Sequence, residues 1–340
     1  MRARREPVHC AVVASTRSRR IAFYTRPAPR RLASSASADY GAGAEPDWRE
    51  VDWPSHVHDT NLLGGRVRYL DIGTGAGTPI VLVHGLASCW QIWLETIPAL
   101  SRHRRVVAVD LPGFGGSEMP VEPISITRYA HLVDALCDEL GLGPVSLVGH
   151  SMGGFTGADL ALQHPERVER LVLISAAGVS HNEVEPRLNA AMLTLIQAAR
   201  PRGSQQRHVI KRPNLRHAAF AMLARHPLRI APDLLYEQLI RFPGRGLLDA
   251  FTAITSYDFR GRLKDIACPT LIIHGRCDAI VPVADATEYE REIPNARKLL
   301  LDDTGHCPTL ERPRWLNEEL ERFLELRAPA RVRRRRRAVK

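Results

Sequence analysis

Short apolar runs alternate with longer stretches at helical spacing along most of the chain. Behind Gly64-Gly65, Val67, Tyr69 and Asp71 alternate with Arg68, Leu70 and Ile72, a pattern that predicts a strand entered from a hairpin. Gly73 to Gly77 then form a turn. Pro79–Val83, Val106–Val109, Val145–Val148 and Val168–Ile174 are apolar and rich in β-branched residues, as strands covered on both faces are. Between them, helices are predicted over Trp90–Leu100, over Thr127–Leu140 with Thr127 as N-cap, and over Gly154–Gln163. Residues 46–60 read as polar and irregular, with Trp48 and Trp53 as anchors. From about Gly178 to Lys264 the strand pattern stops and helical spacing takes over, at Leu188–Ala199, Leu215–Ala224, Pro232–Ile240 and Gly246–Ile254. Alternation resumes with a strand at Thr270–Ile273, a helix at Val283–Glu292, a strand at Arg297–Leu301 and a last helix over Arg312–Leu326. The whole predicts an α/β fold: a mostly parallel, doubly wound sheet with an inserted helical cap.

Composition changes this picture only at the ends. With 340 residues, 44% hydrophobic and 25% charged, the chain is ordinary for a globular protein. No apolar run approaches the ~20 residues of a membrane-spanning helix. The net charge of +10 is unevenly spread: residues 1–45 carry +6, residues 327–340 carry +8, and the body between them carries −4. Within the body, residues 180–264 carry +8, so the sheet-forming remainder is acidic. The division expected is a basic, disordered N-terminal tail or targeting segment (1–45), a core (46–177 and 265–326), a cap (178–264) and an Arg-rich, disordered C-terminal tail (327–340). The tails read as solvated appendages, so no nucleic-acid partner is expected. The basic cap and tails suit at most a weak contact with an anionic membrane. The Arg-rich, acid-poor N-terminus has the composition of an organelle transit peptide; without that function a cytoplasmic location is expected. Six cysteines, at 10, 89, 137, 268, 277 and 307, show no C-x-x-C pair, as in a reducing compartment.

Candidate chemistry starts at Gly149-His150-Ser151-Met152-Gly153, a G-x-S-x-G between a predicted strand and a predicted helix. The motif alone arises by chance in about one chain in ten of this length, so its weight rests on that setting. A serine on such a turn stands clear of the sheet, beside the first N–H groups of the helix. An activated serine needs a base for its proton and a carboxylate to orient that base. In open α/β sheets such groups collect past the carboxyl ends of strands. Asp278 lies just beyond Thr270–Ile273, and His306 lies in the loop after Arg297–Leu301. The order Ser151, Asp278, His306 is the one expected on this topology. Asp302 and Asp303 are rivals to Asp278, though their nearness to His306 in sequence favours a capping role. Asp110 ends a strand in a Pro-Gly loop that suits structure. The N–H of Met152 is one candidate oxyanion donor, and the N–H of Leu86, exposed by His84-Gly85, is the other. His84 and His150 read as supporting residues.

These pieces, with Asp110-Leu111-Pro112-Gly113-Phe114-Gly115-Gly116-Ser117 and Gly305-His306-Cys307-Pro308, resemble the α/β-hydrolase superfamily, in its serine esterase or lipase-like branch with a helical cap. The resemblance covers about residues 60–326. It implies Ser151 as nucleophile, His306 as general base and acid, Asp278 as orienting acid, and Leu86 and Met152 as oxyanion donors, supported by His84, Gly85, Gly149, His150 and Gly153. It implies no metal and no organic cofactor. The activity expected is hydrolysis of a small hydrophobic carboxylic ester through an acyl-enzyme. Leu193, Leu195, Ile196, Phe220, Met222, Leu223, Leu235 and Leu239 would line an acyl pocket or pack the cap on the sheet. An acyltransferase, a C–C bond hydrolase and a ligand receptor are the alternatives. Relatives that cleave C–C bonds often carry Asn before the serine and Trp after the histidine, where this chain has His150 and Cys307.

Overall fold

Eight strands form one sheet in the order β1-β2-β4-β3-β5-β6-β7-β8. They are β1 (Val57–Leu62), β2 (Gly65–Ile72), β3 (Ile80–Val83), β4 (Val106–Val109), β5 (Val145–His150), β6 (Val168–Ile174), β7 (Thr270–Gly275) and β8 (Ala296–Leu301). The computed structural model describes residues 38–178, 194, 201–242, 244–259 and 261–326. β1 and β2 make an antiparallel hairpin, β2 runs antiparallel to β4, and every remaining pairing is parallel.

The two-residue period of a strand divides the core between the two faces of the sheet. Val81, Val83, Val107, Val109, Leu147, Leu171 and Leu173 join one apolar cluster, covered by the helices Ile126–Glu139 and Met152–Gln163. Their alternates Ile80, Leu82, Val106, Ala108, Val148, Val172 and Ile174 join the other, with Trp90, Trp93, Leu316 and Leu320. Every residue of β3, β4, β5 and β7 is buried, which is why these strands read as unbroken apolar runs.

Among the described residues, the segment between β6 and β7 is helical: Ser204–Lys211, Pro213–Phe220, Pro232–Arg241 and Leu247–Ser256. Phe220, Leu235 and Leu239 are packed into the second cluster. Met222 and Leu223 are half-buried. Leu193, Leu195, Ile196, the rest of the predicted helix Leu188–Ala199, and residues 1–37 and 327–340 lie outside the described residues. No helix among the described residues is long and apolar enough to cross a membrane.

Four local expectations differ from the structure. Residues 46–60 are not wholly irregular: Val57–Leu62 is an edge strand, whose polar His58, Asp59 and Asn61 hid it. Trp90–Leu100 is not one amphipathic helix but a 3₁₀ turn, Trp90–Trp93, followed by a short helix, Ile97–Ser101. Pro98 lacks an N–H and cannot sit inside a longer helix. Ser125, not Thr127, caps Ile126–Glu139; its extended backbone lets Oγ accept from the N–H of Arg128 at 3.2 Å. The ordered body also begins before residue 46, because Tyr40 and Ala44 are buried against it.

Candidate active site

Ser151 sits between β5 and the helix Met152–Gln163 with φ 54° and ψ −117°, a backbone conformation few non-glycine residues adopt. Crowding explains the glycines around it. A Cβ on Gly149 would lie 2.3 Å from the carbonyl oxygen of Gly153, and one on Gly153 would lie 2.1 Å from that of Val83. Neither neighbour is a flexible side-chain tip, so Gly153→Ala is expected to cost about 3 kcal/mol of stability. Chemical denaturation of that variant would check it. Among the described residues the Ser151 hydroxyl makes no hydrogen bond, and the side chain is nearly covered.

Asp278, past β7, and His306, past β8, are joined by a 2.8 Å hydrogen bond between Oδ2 and Nδ1. That bond places the proton on Nδ1 and leaves Nε2 with its lone pair. The Oδ1 of Asp278 accepts from the N–H groups of Ile280 and Val281 at 2.8 and 2.9 Å. A second imidazole, His274 at the end of β7, brings Nε2 to 3.2 Å from Asp278 Oδ2 and 3.1 Å from the carbonyl of Val281. Burial pushes the Asp278 carboxyl up, but the charges of and hydrogen bonds from His306 and His274 outweigh it and hold it well below the usual carboxylate range. Burial also works against a charged His274, yet the hydrogen bond and charge of Asp278 leave its pKa raised.

His84 and His150 flank the serine and are both fully buried. His84 Nε2 accepts from the N–H of Leu111 at 2.9 Å, so its proton is on Nδ1, 2.7 Å from the carbonyl of Gly85. Burial pushes its pKa down to about 4, and the ring braces the loop after β3 as a neutral group. His150 donates from Nε2 to the carbonyl of His306 at 2.9 Å, with ring centroids 5.0 Å apart. Burial, then the neighbouring His306, pushes it down to about 3. Through His150 the serine and the His306 loop meet at one end of the sheet. Gly85 lies against the serine: a Cβ there would be 2.9 Å from Ser151 Cβ. Among the described residues no hydrogen bond uses the N–H of Leu86 or of Met152.

The other carboxylates are engaged elsewhere. Asp303 takes His226 Nε2 at 2.8 Å, and Asp302 pairs with Arg276 in solvent. Asp110 is buried and accepts from the N–H groups of Trp90 and Gly116, both at 2.8 Å; burial pushes its pKa up to about 6. Cys89 and Cys307 are buried thiols whose pKa is raised by burial, which keeps them protonated.

Sequence reasoning passed over three residues. His274 stands four positions before Asp278, a spacing that a turn closes into contact. Glu311 is fully buried, and its carboxylate accepts from the N–H groups of Gly305 and Cys307, on either side of His306. Set between Leu310 and Arg312, just ahead of the final helix, it belongs to no motif. Tyr40, which donates to Glu311, left no local signal.

A sequence profile of the alpha/beta hydrolase fold matches residues 78–313, and the chain belongs to that family. It is 30% identical over 295 residues to the dihydrolipoyllysine-residue acetyltransferase component of an acetoin cleaving system from Pseudomonas putida, covering 86% of this chain and 72% of that protein. It is also 30% identical to the 2-hydroxy-6-oxo-6-(2'-aminophenyl)hexa-2,4-dienoic acid hydrolase of Metapseudomonas resinovorans, over 79% of this chain and 90% of that one. Among solved structures, a thermophilic esterase from Thermogutta terrifontis superimposes with a TM-score of 0.63 at 25% identity, covering 79% of this chain and 97% of the esterase.

Proposed function

We propose that the protein is a serine hydrolase that cleaves a small carboxylic ester with a hydrophobic acyl group. The observation that carries this reading is the 2.8 Å hydrogen bond that His306 Nδ1–H donates to Asp278, on a loop whose His306 carbonyl accepts from His150, the residue before a serine at φ 54°. In the proposed cycle, His306 Nε2 takes the Ser151 proton as Oγ bonds to the ester carbon. The N–H groups of Leu86 and Met152 receive the oxyanion, an interaction worth several kcal/mol when preorganised. The C–O bond to the alcohol breaks, and His306 returns the proton to the departing oxygen. Water, deprotonated by the same nitrogen, then releases the acid and restores Ser151. The helical segment between β6 and β7 acts as the cap over this site.

A fluorophosphonate should add its phosphonyl group to the peptide containing Ser151, with fluoride leaving. Intact-mass and peptide spectra would check this, and labelling elsewhere in the chain would oppose the reading. The likeness to the dienoic acid hydrolase supports a second reading, C–C bond hydrolysis by the same three side chains. Consumption of a 2-hydroxy-6-oxodienoate with no turnover of aryl esters would favour it. Acyl transfer, supported by the likeness to the acetyltransferase component, would appear as acylated alcohol or amine when acceptors compete with water.

A further inference from the structure

Tyr40 precedes the stretch matched by the family profile, yet only 4% of its surface is exposed. Its hydroxyl donates to Glu311 Oε2 at 2.5 Å and accepts from the N–H of His226 at 2.8 Å. The same carboxylate accepts from Gly305 N–H at 2.9 Å, Cys307 N–H at 3.2 Å and Arg225 N–H at 2.8 Å. Four donors thus converge on one buried group, two of them bracketing His306. The N–H groups of His306 and Cys307 both point at the carbonyl of Leu223, 3.0 Å away, in the helical insertion. A second tie comes from Gly41, whose N–H reaches the Glu311 carbonyl at 2.8 Å. Next to it, Asp39 pairs with Arg312 at 2.9 Å.

We propose that Tyr40 is a positioning residue for His306: through Glu311 it fixes the loop that carries the imidazole, and through His226 it holds the helical insertion to that loop. The inference rests on the reading of Ser151 and His306 as nucleophile and base. Its chemistry is that of an acceptor-only group. An ionised Glu311 satisfies all four donors, whereas a protonated one presents a hydrogen where donors converge and must release one of them. The titratable groups around it are the Tyr40 hydroxyl and the Cys307 thiol, with Asp303, Arg225 and His226 just beyond. Burial pushes the Glu311 carboxyl up to about 7, and the Tyr40 hydrogen bond is first among the contacts that oppose this. Removing that bond makes Glu311 easier to protonate, so the ionised, loop-holding form survives only at higher pH.

Tyr40→Phe in the full chain should keep its fold and its KM but lose kcat on an aryl ester by about ten-fold at pH 7, the scale of a small misplacement of a reacting group. The loss should shrink towards pH 9, because the acid limb moves to higher pH. A packing role alone would scale the rate equally at every pH. The downfield proton resonance of His306 Nδ1–H needs no substrate and should shift or broaden in the variant. A kcat profile and resonance that superimpose on wild type would overturn the inference, as would a loss uniform in pH. Should Tyr40→Phe not fold, Glu311→Gln supplies the test: an amide cannot accept four donors, so its kcat should fall without recovery at high pH, and wild-type behaviour would overturn the inference. Ser151→Ala run in parallel separates the two layers. If it is silent while Tyr40→Phe is unchanged, only the role of Tyr40 fails; if it is as active as wild type, the serine reading fails first.

Discussion

Ser151→Ala is expected to lower hydrolysis of a short-chain aryl ester by about 10⁴-fold or more, the loss seen when a nucleophile acting in concert with its base is removed. The effect should fall on kcat, since the methyl group still permits ester to bind but no acyl bond can form. Stability should stay within about 1 kcal/mol of wild type, because a substitution that leaves no polar group unpaired has little to destabilise. The Ser151 hydroxyl makes no hydrogen bond among the described residues, and alanine bears the same backbone strain at φ 54°. Any remaining rate would come from the N–H pair at Leu86 and Met152 polarising the carbonyl towards water. Measured turnover equal to wild type would remove Ser151 from the chemistry.

The strands buried on both faces were legible because nothing else suits an unbroken run such as Ile80–Val83 or Leu171–Ile174 between helical segments. The sharp turn at Ser151 was legible for a related reason: a Cβ on Gly149 or Gly153 would come within 2.3 Å of a backbone oxygen, so the glycines leave a spacing in the sequence. β1 was not, since an exposed edge strand needs few apolar residues and takes its shape from pairing with β2. The supporting contacts behind His306 were hidden for a different reason. Tyr40 and Glu311 are 271 positions apart, and neither carries a local pattern that announces a partner. His274 lay in plain view beside Asp278, but a histidine at a strand end more often fills space than shares a carboxylate. Long-range hydrogen bonds to buried carboxylates are set by tertiary approach, which periodicity and motif spacing do not encode.

Asp278→Asn is the second large effect, with kcat expected to fall by about 10⁴-fold, as when an orienting carboxylate is replaced by its amide. Asparagine is nearly isosteric, but its NH₂ or its single oxygen must now meet His306 Nδ1. If the oxygen does so, the NH₂ faces the donors Ile280 N–H and Val281 N–H, which Oδ1 of Asp278 now satisfies. If the NH₂ does so, the imidazole is driven to the other tautomer, with its proton on Nε2 and no lone pair for Ser151. Either way the charge that stabilises the imidazolium is gone. Asp303→Asn should stay within about ten-fold of wild type, because its contacts run to His226 and Arg225 and not to the imidazole of His306. The reverse ranking would reassign the orienting acid to Asp303. Stability adds a second, independent check. The folded-state pKa of Asp278 is depressed below the ordinary 3.8, so its stabilising contribution is present above that value and lost as pH falls through the lower one. Wild type should therefore lose stability on acidification below pH 3.8 more steeply than Asp278→Asn, which has no carboxylate there to protonate. Equal slopes in acid unfolding would mean that the charge on Asp278 is not held by its two histidines.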